Sequence, residues 1–307
     1  MRKGLIRMLW ALLIVCIALL VAPAFYNAWA RRVLEKELHD AAREPGTEFL
    51  RGGAPIRIER GRSRACLLLH GFMSTPADFG ALPRALDEAG WDVVAPVLPG
   101  HATDPRRLEK VKADDLVSAG EEEFLRLRQK HPTVAVVGFS LGGAIALHLS
   151  ARHAPDALVL VNPYFASPYK PRYVLPPRWA YALLSPAIEY AVRPATIHHI
   201  NRAEGAKEIV GYRVVPMAVF REVFAVADAA SAIAPPDVPL LVLISEGDST
   251  SSPSAVQRFY EAAPVRRKER KLFGRSDHML FLDHDREEAV RAVAAFLVDS
   301  VQAPPYH

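Results

Sequence analysis

The stretch VAVVGFSLGGAIALHL, from Val134 to Leu149, changes character in its middle. Its first half is rich in β-branched valine and reads as a buried strand. Its second half reads as a helix with small residues on one side. Between them stands Ser140, with Gly138 two residues before it and Gly142 two residues after. G-x-S-x-G at a strand-to-helix junction is the pattern of a nucleophile elbow. The turn is tight and strained, which lifts the serine oxygen above the sheet edge. Side chains at the flanking positions would collide with neighbouring backbone, so glycine is required there. The following helix aims free N–H groups at the serine and favours negative charge beside it. The five residues alone occur by chance in many chains; their strand–turn–helix setting gives them weight.

On either side of this junction the chain alternates. Short apolar runs at Ala65–Leu69, Trp91–Leu98, Thr133–Phe139, Ala157–Val161 and Pro239–Ser245 have the composition of strands buried on both faces. Helix-length segments separate them, at Pro76–Ala89, Ala113–Gln129, Leu141–Arg152, Pro253–Ala262 and Arg286–Val298. This rhythm implies an α/β fold, a mostly parallel central sheet with helices on both faces. One section, about residues 163–236, breaks it. It has no convincing strand, is rich in proline, and gathers Tyr164, Phe165, Tyr169, Tyr173, Trp179, Tyr181 and Tyr190. An insert of that length within a compact domain is usually functional. It reads as a helical cap over one end of the sheet, most of its aromatics forming a small core and a few lining a pocket.

A serine hydroxyl is a poor nucleophile until a base takes its proton. Among 11 histidines, His278 stands out in GRSDHMLFLDHD, after a candidate strand near Arg270–Phe273 and before the last helix. His148 and His153 fall in or at the end of the helix after Ser140 and should point elsewhere. His198 and His199 lie in the cap without metal-ligand spacing and read as structural or solvent-exposed. The chain order Ser…Asp/Glu…His places the orienting acid between Ser140 and His278. PLLVLISEGDSTSSP supplies Asp248 just after a buried run; Glu246 is a rival, and the side chain of Asp277 should point away from its neighbour His278. Asp248 would hold the imidazole tautomer and stabilise its charged form. Two backbone N–H groups are expected to receive the oxyanion, those of Leu141 and of Phe72 in CLLLHGFMS. His70 reads as a strand-end histidine bonded to backbone.

LLLHGF, LPGH, GFSLGG, EGD and DHML occur in the order and context of the α/β-hydrolase superfamily. The chain resembles its bacterial carboxylesterase and monoacylglycerol-lipase-like branch over about residues 56–300. It departs from that branch at Ala102, where glycine is frequent, and in the Ser-Thr-Ser-Ser-Pro loop after Asp248, where apolar residues are common. The resemblance implies an α/β-hydrolase fold and a two-step ester hydrolysis with no cofactor and no metal. The aromatic cap and an expected bilayer tether together favour a carboxylic ester with a hydrophobic acyl chain, as for a carboxylesterase, monoacylglycerol lipase or lysophospholipase. A thioesterase is chemically close. A peptidase would need a carboxylate pair for the substrate amine, and none is visible. From another class, a catalytically silent, membrane-tethered binding module is the alternative.

The 307 residues carry a net charge of +4. With no basic block beyond Arg266-Arg267-Lys268, a nucleic-acid partner is not indicated. Cys16 and Cys66 have neither disulfide nor metal-site spacing. The N-terminus is the exception to the globular pattern. Met8 to Ala30 are 23 residues without a charge, after Arg2, Lys3 and Arg7 and with Trp10, Tyr26 and Trp29 near the ends. At ~1.5 Å per residue, a helix of that length covers a ~30 Å hydrocarbon core. Residues 1–30 are therefore expected to be an N-terminal transmembrane helix, a single pass in a bacterial inner membrane with the main domain periplasmic. Alternatively they are a signal peptide cut after Ala28-Trp29-Ala30, with the domain secreted. Residues 31–55 read as a linker and 301–307 as a tail.

Overall fold

A strand that is apolar on both sides leaves no face for water, and the chain stacks such strands into one sheet between two helical layers. The structure, a computed structural model, describes residues 2–168, 175–194, 199–265 and 267–302. Its elements run α1 (Arg2–Asp40), β1 (Ile56–Ile58), β2 (Arg64–Leu69), α2 (Leu82–Glu88), β3 (Asp92–Ala95), α3 (Ala113–Arg128), β4 (Thr133–Phe139), α4 (Leu141–Arg152) and β5 (Ala157–Val161). Then follow α5 (Pro177–Leu184), β6 (Tyr190–Val192), α6 (Ala203–Ala206), β7 (Val214–Pro216), α7 (Met217–Ser231), β8 (Leu240–Ser245), α8 (Pro253–Ala262), β9 (Lys268–Phe273) and α9 (Arg286–Gln302). Seven strands form one sheet in the order β1-β3-β2-β4-β5-β8-β9. Only β1 pairs antiparallel, with β3; the other pairs are parallel.

Side chains along the inner strands divide by parity. Leu67, Leu69, Val134, Val136, Leu158, Leu160, Leu240 and Val242 face one way, into a core with Phe124 of α3, Ile145 of α4 and Val226 of α7. Cys66, Leu68, Ala135, Val137, Val159, Val161, Leu241 and Leu243 face the other, against Leu86 of α2 and Val293 and Phe296 of α9. Each aliphatic side chain so buried contributes about 1.5–3 kcal/mol. Between β5 and β8 the chain leaves the sheet. It builds α5, an antiparallel ribbon of β6 with β7, α6 and α7 before returning.

The N-terminal expectation is corrected. Among the described residues, no helix is long and apolar enough to cross a membrane, which overturns the transmembrane helix, the membrane partner and the inner-membrane localisation. The far end of the proposed span also has a different use. Helix α1 continues through Ala30 to Asp40, and Ala30 and Leu34 are buried against Tyr190 and Val214 of the ribbon. Asn27 donates to the Ala187 carbonyl and accepts from the Glu189 N–H, and the Tyr26 hydroxyl accepts from the Val192 N–H. These polar groups are satisfied by protein. Of the residues singled out in the sequence, Tyr169, Tyr173, His198, Arg266 and the end of the tail, 303–307, lie outside the described residues.

Candidate active site

Ser140 sits between β4 and α4 with φ 54° and ψ −118°, a conformation L side chains rarely adopt. The surrounding backbone holds it there. The Ser140 N–H donates to the Val161 carbonyl at the end of β5, and the Ser140 carbonyl accepts from Gly143 and Tyr164. The glycines serve this crossing. A Cβ at Gly138 would lie 2.4 Å from the Gly142 carbonyl oxygen, and one at Gly142 would lie 1.9 Å from that of Leu69. One at Gly71 would approach the Ser140 Cβ to 3.0 Å, so the loop after β2 passes directly beside the serine.

His278 comes from the loop after β9 and Asp248 from the loop after β8. His278 Nε2 lies 2.9 Å from Ser140 Oγ, and Nδ1 lies 2.9 Å from Asp248 Oδ2. All three residues are buried. Asp248 Oδ1 accepts from the Thr250 and Ser251 N–H groups, so its carboxylate cannot rotate without losing both bonds. The tautomer follows: Nδ1–H donates to the carboxylate, and Nε2 keeps a lone pair for the serine proton. Glu246, the rival acid, is solvent-exposed. Asp277 turns away from the imidazole of its neighbour, accepting instead from the N–H and hydroxyl of Ser249. The Phe72 and Leu141 residues both line the cavity in front of Ser140.

That cavity measures about 490 Å³, within the range of small-molecule sites. Tyr181, Val215, Met217, Phe220, Val223 and Phe224 make one side of it apolar. Edge-on aromatic contacts join Phe72 to Phe220 and Tyr181 to Phe224, so the loop after β2 and the α5–α7 segment share a wall. The polar side holds Asp78, Arg193, His199 and Arg213. Burial pushes the Asp78 carboxyl up to about 7, while the Ser74 hydroxyl donates to its Oδ2 and opposes that rise. Its other oxygen, Oδ1, has no partner among the described residues. Burial also pulls the Arg193 guanidinium below its ordinary value, against the pull of Asp78 and Glu37.

Several positioning residues escaped the sequence reading. Asn162, at φ 42°, follows β5 and joins three parts of the site. Its side chain donates to Ser245 Oγ and to the His278 carbonyl and accepts from the Ser245 N–H. Only the Asn-Pro pair closing a buried run hints at this. His199, expected to be structural or exposed, lines the cavity. His70 is as read: its Nδ1 lies 2.9 Å from the Gly71 carbonyl, and Nε2 accepts from the Leu98 N–H. Burial holds that ring neutral, with its pKa lowered to about 3. Among the described residues, no group of three His, Cys, Asp or Glu side chains is arranged to hold a metal ion.

A parallel sheet that raises a serine at a strand-to-helix elbow, with a histidine and an acid on later loops, defines an α/β hydrolase. The chain belongs to the family described as serine aminopeptidase, S33, whose model matches residues 61–285. Two curated relatives are similar over shorter stretches. A thermostable monoacylglycerol lipase from Bacillus sp. (strain H-257) is 38% identical over 112 residues, 36% of this chain and 44% of that protein. A carboxylesterase from Bacillus subtilis (strain 168) is 34% identical over 91 residues, 29% of this chain and 37% of that protein. The chain thus spans under half the length of the curated relatives it matches. In fold it is similar to a structure from work on LipS and LipT, two metagenome-derived lipolytic enzymes. The TM-score is 0.73 at 21% identity, covering 82% of this chain and 99% of that one.

Proposed function

We propose that the protein is a serine carboxylic ester hydrolase that acts on esters with a hydrophobic acyl chain. The observation that carries this reading is the unbroken hydrogen-bonded chain Ser140–His278–Asp248 opening onto a largely apolar cavity. Ser140 Oγ attacks the ester carbonyl as His278 Nε2 takes its proton. The developing oxyanion is received by the Phe72 and Leu141 N–H groups, neither of which donates to any described residue. His278 then gives the proton to the departing alcohol, leaving Ser140 acylated. Water, activated by the same imidazole, releases the acid and restores the serine. Asp248 keeps the ring in the working tautomer and stabilises it while it is charged. The two curated relatives, a monoacylglycerol lipase and a carboxylesterase, are named for chemistry of this kind.

The family description raises a peptidase as the second reading. A substrate amine needs carboxylate in the pocket. Among the described residues lining the cavity, the only carboxyl is Asp78, pushed toward neutrality by burial and accompanied by Arg193 and Arg213. That balance disfavours a cationic substrate end. A thioester would meet the same machinery and the same apolar wall. A silent binding module would have no use for an acid, a base and a nucleophile in hydrogen-bonding register.

Hydrolysis of p-nitrophenyl esters from C2 to C16, beside aminoacyl p-nitroanilides, separates these readings. Ester hydrolysis is expected to peak at a medium or long acyl chain. It should fall about 10⁴-fold or more in Ser140→Ala, along with labelling by a fluorophosphonate probe. Faster cleavage of the anilides would favour the peptidase. Activity unchanged in Ser140→Ala would remove the mechanism altogether.

A further inference from the structure

A second imidazole stands in the same cavity, and its protonation is fixed by its own set of partners. His199 Nδ1 lies 2.7 Å from Ser249 Oγ. The Ser249 hydroxyl donates to Asp277 Oδ2 at 2.8 Å, and its backbone N–H donates to Asp277 Oδ1 at 2.7 Å. A carboxylate offers no proton, so the single hydroxyl hydrogen of Ser249 is committed to Asp277. Ser249 Oγ must then accept from His199 Nδ1–H. In the neutral ring, Nε2 is left with a lone pair and no partner among the described residues.

The main chain is tied to the same place. The His199 carbonyl accepts from the Met279 N–H, one residue beyond His278. The backbone of His199 has φ 53°, which a non-glycine residue keeps only when its surroundings enforce it. Ser249 follows Asp248 and Asp277 precedes His278, so both loops that carry the candidate triad help to hold this ring. Burial lowers the His199 pKa and nearby His278 lowers it further, which keeps Nε2 an acceptor. A departing alcohol must lie beside His278 to receive its proton, and His199 is stapled to that side. The apolar wall of Tyr181, Phe220 and Phe224 is left for the acyl chain.

We infer that His199 Nε2 accepts a hydrogen bond from a free hydroxyl on the alcohol part of the substrate, making His199 a specificity-determining residue for esters of hydroxylated alcohols. This rests on the ester-hydrolase reading. It assigns Ser249 and Asp277 as positioning residues that fix the tautomer on which the selectivity depends.

The test compares 2-hydroxyethyl butyrate with propyl butyrate, a pair in which a hydroxyl replaces a methyl at nearly constant size, with p-nitrophenyl butyrate as reference. In the full chain, kcat/KM should favour the hydroxylated ester by on the order of tenfold, the worth of one well-made hydrogen bond. His199→Asn removes the imidazole with a residue that tolerates the left-handed backbone, and the ratio should fall to about one. Ser249→Ala leaves the imidazole but frees its tautomer, and the ratio should fall severalfold. A role confined to holding the loops would lower both rates together and leave the ratio at its wild-type value in His199→Asn, which overturns the inference. A wild-type protein active on the p-nitrophenyl ester but with no preference within the pair overturns this inference alone. Inactivity on all three esters removes the ester-hydrolase reading and takes the inference with it.

Discussion

Ser140 illustrates how much of this site depends on a few atoms that are absent. Its left-handed φ costs on the order of 1–3 kcal/mol, and glycines on either side make the crossing of β4, α4 and the β2 loop sterically feasible. A methyl at Gly142 meets the Leu69 and His70 carbonyl oxygens at 1.9 and 2.6 Å, and neither backbone can retreat without opening the sheet. Gly142→Ala is therefore expected to lose at least 100-fold in ester hydrolysis through misplacement of Ser140, with a clear drop in Tm; wild-type rates would refute this account of the elbow. Asp78 supports a different residue-scale prediction. Its folded pKa of about 7 lies above the ordinary carboxyl value of 3.8. Between those two values the native state keeps a proton that the unfolded chain has released. The stability contribution of Asp78 therefore declines as pH rises through that window. Asp78→Asn carries no such charge. Its Tm should gain on that of the wild type between pH 5 and pH 8, with a change on the order of a few kcal/mol in the stability difference. A constant Tm difference across that range would mean that Asp78 is not held near neutrality.

At the scale of elements, legibility followed burial. Strands β4 and β5 and helices α4 and α8 run over the residues expected from sequence, because each is apolar on both faces or sharply bounded. The edges were harder to read. Strand β9 begins at Lys268, but four of its residues are solvent-exposed and its Lys-Glu-Arg-Lys start carries no hydrophobic signal. Such charges suit an edge strand, where they discourage pairing with another chain. Strand β1 has three residues, and so do β6 and β7, where no strand was expected. Their pairing is decided by neighbours distant in sequence rather than by local propensity. In the candidate site, chain order and strand-end position pointed to Ser140, His278 and Asp248, which the structure brings within hydrogen-bonding distance of one another. The Asn162 contacts and the His199 position were not legible, because each depends on a positive φ and on partners 50 or more residues away. The N-terminal run misled for a related reason. Hydrophobic length measures compatibility with a bilayer, whereas the docking of Tyr26, Asn27 and Ala30 on protein is a tertiary fact.

Over the whole molecule, the consequence is that α1 braces the wall of the cavity. Arg31 forms a bidentate pair with Glu189, and Glu37 accepts from both the backbone N–H and Nε of Arg213. Between these polar ties, Leu34 is 1% exposed and packs with Ala30 against Tyr190 and Val214. The ribbon so clamped, with Arg193 and Arg213 just beyond its end, supplies Ala191, Val192, Arg193, Arg213 and Val215 to the cavity lining. The polar pairs are mostly exposed and individually worth little. The buried leucine is the larger contribution, and its truncation to alanine in a packed site costs about 2–5 kcal/mol. Leu34→Ala should therefore do two things at once. It should lower the denaturation midpoint, and it should raise KM for long-chain p-nitrophenyl esters severalfold, since Val215, which lines the apolar side with Phe220 and Phe224, loses its support. Ser140, His278 and Asp248 are held by β4, β5, β8 and their loops rather than by the ribbon. The acetate ester, which makes little use of that wall, should show a much smaller change in KM, and kcat should change little for either ester. Equal losses on short and long esters would mean that α1 stabilises the fold without shaping the site. An unchanged midpoint would mean that α1 does not pack on the ribbon in solution.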